Sequence, residues 1–319
     1  VNMEYLILIL SLAGIVLGAD FLVKGAVVVA RKCRVSSFVI GAVIVGIGTS
    51  LPELVVSTVG AIGGNSEVAI GNVVGSNIFN VFAILGLTAL FFPIAVSREN
   101  MKFEIPFCIA VSVLLMLLVY NFFVGGEPRL GRWDGAALLL VFTSFMWISL
   151  RRGKSSAATV GESVEEVNKS LWFAAFSILG GLAALIVSSN FFVDEAVAIA
   201  RKLGVSDAFI SITLLACGTS LPELAASVTA AVKKDTDMAL GNIIGSNIFN
   251  VTMILGTASL ITPLTTGKIG LVDYGAMILA AVLPMIFGIR GKITRFEGLL
   301  MLLCYAAYTW YIVTYVMAV

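Results

Sequence analysis

Glu53 and Glu223 are acids set in apolar surroundings, and each closes a copy of one hexapeptide, Gly48-Thr-Ser-Leu-Pro-Glu53 and Gly218-Thr-Ser-Leu-Pro-Glu223. A carboxylate in hydrocarbon is costly and marks a functional site by default, and a duplicated Pro-interrupted apolar segment points to a transporter's ion site. Pro52 lacks an amide hydrogen and crowds the carbonyl of Gly48, so a helix carrying it should loosen around Gly46 to Ser50 and free carbonyls as ligands. Hard cations take carboxylate, hydroxyl, amide and backbone carbonyl oxygens. Thr49, Ser50 and Glu53 offer three such groups within about one turn, and Thr219, Ser220 and Glu223 repeat them. The plain alternative is a Pro kink whose polar groups join helices; it explains hydroxyls better than an ionisable side chain.

A second duplicated motif follows, Gly71-Asn-Val-Val-Gly-Ser-Asn-Ile-Phe-Asn80 and Gly241-Asn-Ile-Ile-Gly-Ser-Asn-Ile-Phe-Asn250. Asn72, Ser76 and Asn80 fall at i, i+4 and i+8, along one helix face, as do Asn242, Ser246 and Asn250. Gly71, Gly75, Gly241 and Gly245 form small-xxx-small surfaces whose usual use is close helix contact. Packing explains Asn80 and Asn250 less well, since each buries an amide whose carbonyl suits a hard cation.

The elements that must position these residues are membrane helices. The chain is 59% hydrophobic and 12% charged, with mean hydropathy +1.05, far from a soluble domain. Its apolar runs fit helices of about 20 residues rather than the alternating strands of a barrel. Ten spans are predicted, at 3–30, 36–62, 68–93, 103–123, 134–150, 171–200, 206–232, 238–262, 271–289 and 296–318, the fifth barely long enough. The first run is too long for a signal-peptide core. Cys33, Cys108, Cys217 and Cys304 are scattered without metal-ligand spacing.

Adding 170 maps the first half onto the second without a gap from about Ser11 to Pro93. An odd number of spans per half inverts the second copy, giving two half-sites that face each other at the midplane. The expected fold is therefore an all-α integral membrane protein of ten transmembrane helices in two inverted five-helix repeats, 1–150 and 171–319. Residues 151–170, rich in Ser, Gly and Glu, form a cytoplasmic linker. Basic residues set the orientation. One side gathers Arg31, Lys32, Arg34, Arg98, Lys102, Arg151, Arg152, Lys154, Lys169, Lys233, Lys234, Arg290, Lys292 and Arg295; the other has only Arg129, Arg132, Arg201, Lys202 and Lys268. Both termini are thus expected outside the cytoplasm, in a multi-pass protein of the cell membrane.

Both motifs, once per half of a ten-helix chain, resemble the alpha repeats of the calcium/cation antiporter superfamily, in particular its sodium/calcium exchanger branch. The resemblance covers both core repeats and, by helix count, essentially the whole chain. It implies a metal site with a central diamond of ligands at Glu53, Asn80, Glu223 and Asn250. Accessory oxygens would come from Thr49, Ser50, Ser76, Thr219, Ser220 and Ser246, and from the backbone carbonyls of Gly46 and Ala216. It also implies that the long first and sixth helices slide across the core to expose the site alternately. Their polar residues Asp20, Lys24, Asn190 and Asp194 do not match in charge between repeats and are expected to line a cavity or end a helix rather than ligate.

The sodium-coupled members carry Asp where this chain has Asn250, which leaves two core carboxylates. Calcium with two glutamates is neutral, whereas three sodium ions leave about one uncompensated positive charge in a low-dielectric site. Two protons neutralise the pair as calcium does. The chain has no histidine, so Glu53 and Glu223 are the expected proton-coupling groups. Calcium/proton exchange by alternating access is the favoured expectation, with sodium/calcium exchange at the same site as the alternative. A calcium channel ranks lower, since inverted halves suit alternating access better than an axial pore. An intramembrane enzyme ranks lower still, for the chain lacks HExxH and any Ser or Cys beside a base. Calcium and H+ or Na+ as substrates and the lipid bilayer are the expected partners. No nucleic acid and no cofactor are expected, and the monomer is the expected functional unit.

Overall fold

The computed structural model describes residues 3–122, 127–155, 170–203 and 216–316. Long apolar helices dominate: α1 (Met3–Cys33), α4 (Ser66–Phe91), α5 (Arg98–Val119), α6 (Arg132–Ser155), α7 (Leu171–Lys202), α10 (Thr236–Ile261), α11 (Leu271–Gly288) and α12 (Arg295–Tyr311). A further span is broken into α2 (Ser37–Thr49) and α3 (Leu51–Ile62), bent by 47°. Its counterpart in the second repeat is described as the turn α8 (Ala216–Gly218) and the apolar helix α9 (Leu221–Val232). The first half of that seventh expected span, 206–215, lies outside the described residues, as do 156–169 of the expected linker. The fold is the expected one, an all-α membrane protein built as two inverted repeats.

Inversion is visible in two short antiparallel ladders. β1 (Ile94–Ala95) pairs with β4 (Lys292–Ile293), and β2 (Arg129–Leu130) pairs with β3 (Leu264–Thr265). Each ladder takes one strand from each repeat, and the shift of 170 carries β1 onto β3, so the ladders are images of each other. They define two faces. The β1–β4 face also holds the ends of α1, α6 and α9, joined by Ser36 N–H to the Gly153 carbonyl and by Ala95 N–H to Thr236 Oγ1. The β2–β3 face holds the start of α4, where Ser66 Oγ lies 3.0 Å from Thr265 Oγ1.

The motif helices α4 and α10 form the centre, 78% and 83% of their most apolar windows being buried, against 28% for α7 and 17% for α12. Small residues permit this. A Cβ on Gly245 would stand 2.4 Å from Ala42 Cα, so only glycine lets α10 lie on α2. At the periphery α1 and α7 are seamed in the same way, a Cβ on Gly181 falling 2.6 Å from Leu22 N. The fifth span exceeds the expected 134–150: α6 has 24 residues. Its extra turn places Arg151 3.7 Å over the Trp147 ring and Arg152 4.2 Å over Phe103, so aromatic faces carry the charges where the apolar run ends.

Candidate cation site

The helix break falls at Ser50, with φ −85° and ψ 10°, and recurs at Ser220, with φ −93° and ψ 9°. Pro52 and Pro222 sit in the first turn of the following helices, where the missing N–H costs no bond. Glu53 and Glu223 are in the same first turns, beside the partial positive charge of a helix N-terminus. The break leaves the Gly46 carbonyl less free than expected. It accepts from Ser50 N–H at 3.1 Å and also from Ser246 Oγ at 3.2 Å, since the N–H that Pro52 lacks would have served Gly48 instead; a π segment over Gly41–Val45 lies just upstream. Ala216 opens α8, four residues before the second break.

Both glutamates are buried, 1% and 0% exposed. Each is held from the opposite repeat. Ser50 Oγ donates to Glu223 Oε1 at 2.7 Å, and Ser220 Oγ donates to Glu53 Oε1 at 3.0 Å. Asn80 and Asn250 begin π segments, Asn80–Leu85 and Asn250–Ile254, helix irregularities that often accompany function. Their Nδ2 groups donate across the interface at 3.0 Å, Asn80 to Asn247 Oδ1 and Asn250 to Asn77 Oδ1. Each of these four side chains keeps one oxygen buried without a hydrogen-bond partner among the described residues: Glu53 Oε2, Glu223 Oε2, Asn80 Oδ1 and Asn250 Oδ1. A buried acceptor without a partner calls for an explanation, and this set, two carboxylate and two amide oxygens, could hold a hard cation. Among the described residues no cluster of three or more His, Cys, Asp or Glu suited to a metal occurs.

The remaining expected residues take varied places. Ser76 Oγ accepts from Ser220 Oγ at 3.4 Å, and Thr219 Oγ1 is buried without a partner among the described residues. Thr49 Oγ1 donates to the Val45 carbonyl of its own helix at 3.0 Å and lies 3.3 Å from Asn242 Oδ1 of the opposite repeat. Asn72 and Asn242 tie the motifs together: Asn72 Nδ2 donates to the Glu53 carbonyl and Ser57 Oγ, Asn242 Nδ2 to the Glu223 carbonyl and Ser227 Oγ. On α1, Asp20 pairs at 2.6 Å with both Lys24 and Lys233, while Asn190 and Asp194 on α7 are exposed. Asn77 and Asn247, which are not among the expected ligands, each stand three residues before one, Asn80 and Asn250, on the same helix face.

Two inverted five-helix halves around a buried, oxygen-lined centre define an inverted-repeat membrane transporter core. Comparison with known proteins narrows the class. The family model described as "Sodium/calcium exchanger protein" matches residues 3–151 and 173–314. The chain is 37% identical over 314 residues to the putative antiporter CaxA of Alkalimonas amylolytica, covering 94% of this chain and 96% of CaxA. It is 34% identical to the sodium/calcium exchanger MaX1 of Methanosarcina acetivorans, covering 97% and 98%. Among solved structures, the sodium-calcium exchanger NCX_Mj superposes with a TM-score of 0.83 at 32% identity, covering 98% of each chain. The chain belongs to the sodium/calcium exchanger family of calcium/cation antiporters, proteins that are secondary transporters and not enzymes.

Proposed function

We propose that the protein exchanges calcium for protons at one central site formed by Glu53, Asn80, Glu223 and Asn250. The observation that carries this reading is the set of four partnerless buried oxygens, two from each repeat. With two carboxylates the site is neutral when it holds one calcium ion or two protons, and either occupant excludes the other. Ser50 and Ser220 orient the carboxylates by holding one oxygen of each, which leaves the second for the ion. Thr49, Ser76, Thr219, Ser246 and the carbonyls of Gly46 and Ala216 supply accessory oxygens once the ion displaces their present contacts. The β1–β4 face, where Arg31, Lys32, Lys233 and Arg290 emerge, is cytoplasmic, and both termini lie on the other side.

A second reading, sodium as counter-ion, is favoured by the names of MaX1 and NCX_Mj. Calcium uptake into proteoliposomes under a pH gradient alone, and then a sodium gradient alone, separates the two. Uptake driven by the pH gradient supports proton exchange. Uptake driven only by sodium replaces the proton, and uptake indifferent to both gradients overturns antiport. Asn250→Asp, which adds a third carboxylate, should strengthen sodium dependence.

A further inference from the structure

We infer that Asn77 and Asn247 are positioning residues that aim the amide oxygens of the site, each acting on the opposite repeat. The inference rests on the cation site proposed above and adds to it two residues that need touch no ion. Asn77 Nδ2 donates to the backbone carbonyl of Asn247 at 3.1 Å, and Asn247 Nδ2 donates to that of Asn77 at 3.2 Å. A backbone carbonyl only accepts, so each of these amides has a single admissible orientation. Asn77 must then turn Oδ1 toward Asn250, and Asn250 must answer with Nδ2. The second half of the Asn250 amide, Oδ1, is left facing away from this contact with no partner among the described residues. The same chain of constraints runs from Asn247 through Asn80.

All four side chains are at least 98% buried, so water is a poor substitute for any of these bonds. Released from the clamp, Asn250 could present either Oδ1 or Nδ2 to the centre, and Nδ2 repels a cation. The clamp therefore acts on affinity through amide orientation, as partners of metal ligands do elsewhere. Because the bonds cross between repeats, Asn77 is coupled to Asn250, 173 residues away, rather than to Asn80 in its own helix.

The test is a set of double-mutant cycles on calcium dissociation constants, measured by equilibrium dialysis of the purified full chain with radioactive calcium. Asn77→Ala is expected to weaken binding about tenfold. The same substitution should have little further effect in an Asn250→Ala background and its full effect in an Asn80→Ala background. Equal losses in both backgrounds, or coupling to Asn80 instead, would reduce Asn77 to interhelical glue and overturn the clamp. Calcium affinity unchanged by Asn250→Ala overturns the site itself, and the clamp with it. If Asn77→Ala does not fold, the reciprocal cycle of Asn247→Ala with Asn80→Ala carries the same test.

Discussion

At the centre, Ser50 holding Glu223 and Ser220 holding Glu53 are one bond seen from opposite sides, and the Asn77–Asn250 and Asn247–Asn80 pairs repeat at 3.0 Å each. At the periphery the likeness ends. Asp20 of α1 is bridged to Lys24 and to Lys233 at the end of α9, but the shift of 170 pairs these three positions with Asn190, Asp194 and Gly63. An ion that reaches one site from two faces needs the same ligands whichever face is open, so the centre keeps its symmetry. Outside the site a difference between halves gives the two access states unequal energies, and the Asp20–Lys233 bridge, which joins an outer helix to the core on the β1–β4 face, is such a difference.

This contrast can be broken at several strengths. Removing charge from either carboxylate is the most severe change: Glu53→Gln and Glu223→Gln should each abolish calcium uptake in proteoliposomes while the protein remains extractable and monodisperse. Flux retained in one but not the other would end the equivalence of the halves. Gly245→Ala forces a Cβ against Ala42 Cα and should cost roughly 1–3 kcal/mol of stability, read as a lower melting temperature in detergent. Ser50→Ala and Ser220→Ala each remove a hydrogen bond to a buried carboxylate and should weaken calcium binding by about tenfold or more, to the same extent in both. Lys233→Met has the smallest effect. It removes a partly exposed ion pair of about 1 kcal/mol at most, so site accessibility from the β1–β4 face should rise only a few-fold, measured by hydrogen exchange of α9, with calcium affinity nearly unchanged.

Much of this was legible from residue order. The duplicated Pro and Glu announced broken helices with an acid in the first turn, and both breaks fall at the serine two residues before the proline. Helix number and inversion followed from apolar length and the shift of 170. What stayed hidden depends on contacts between repeats. Asn77 and Asn247 read as ordinary polar residues on a crowded face, and only the crossing of α4 with α10 turns them toward each other's carbonyls. The π segments carry no composition signal, and the Gly46 carbonyl stays bonded because its partner is the Ser50 N–H, whereas Pro52 withholds an N–H from Gly48. The length of α6 was hidden because an apolar count stops at Arg151, while a guanidinium lying on a tryptophan does not end a helix.

The two ladders are only two residues long, yet each ties one repeat to the other, at opposite ends of the bundle. A motion in which one half rocked against the other would have to shear both ladders, along with every crossed bond at the centre. Neither α1 nor α7 contributes a strand. Seamed to each other through Gly18 and Gly181, they lie outside that fastened frame, and the bridge from Asp20 to Lys233 is a tether between the two, not a rivet in the ion's seat.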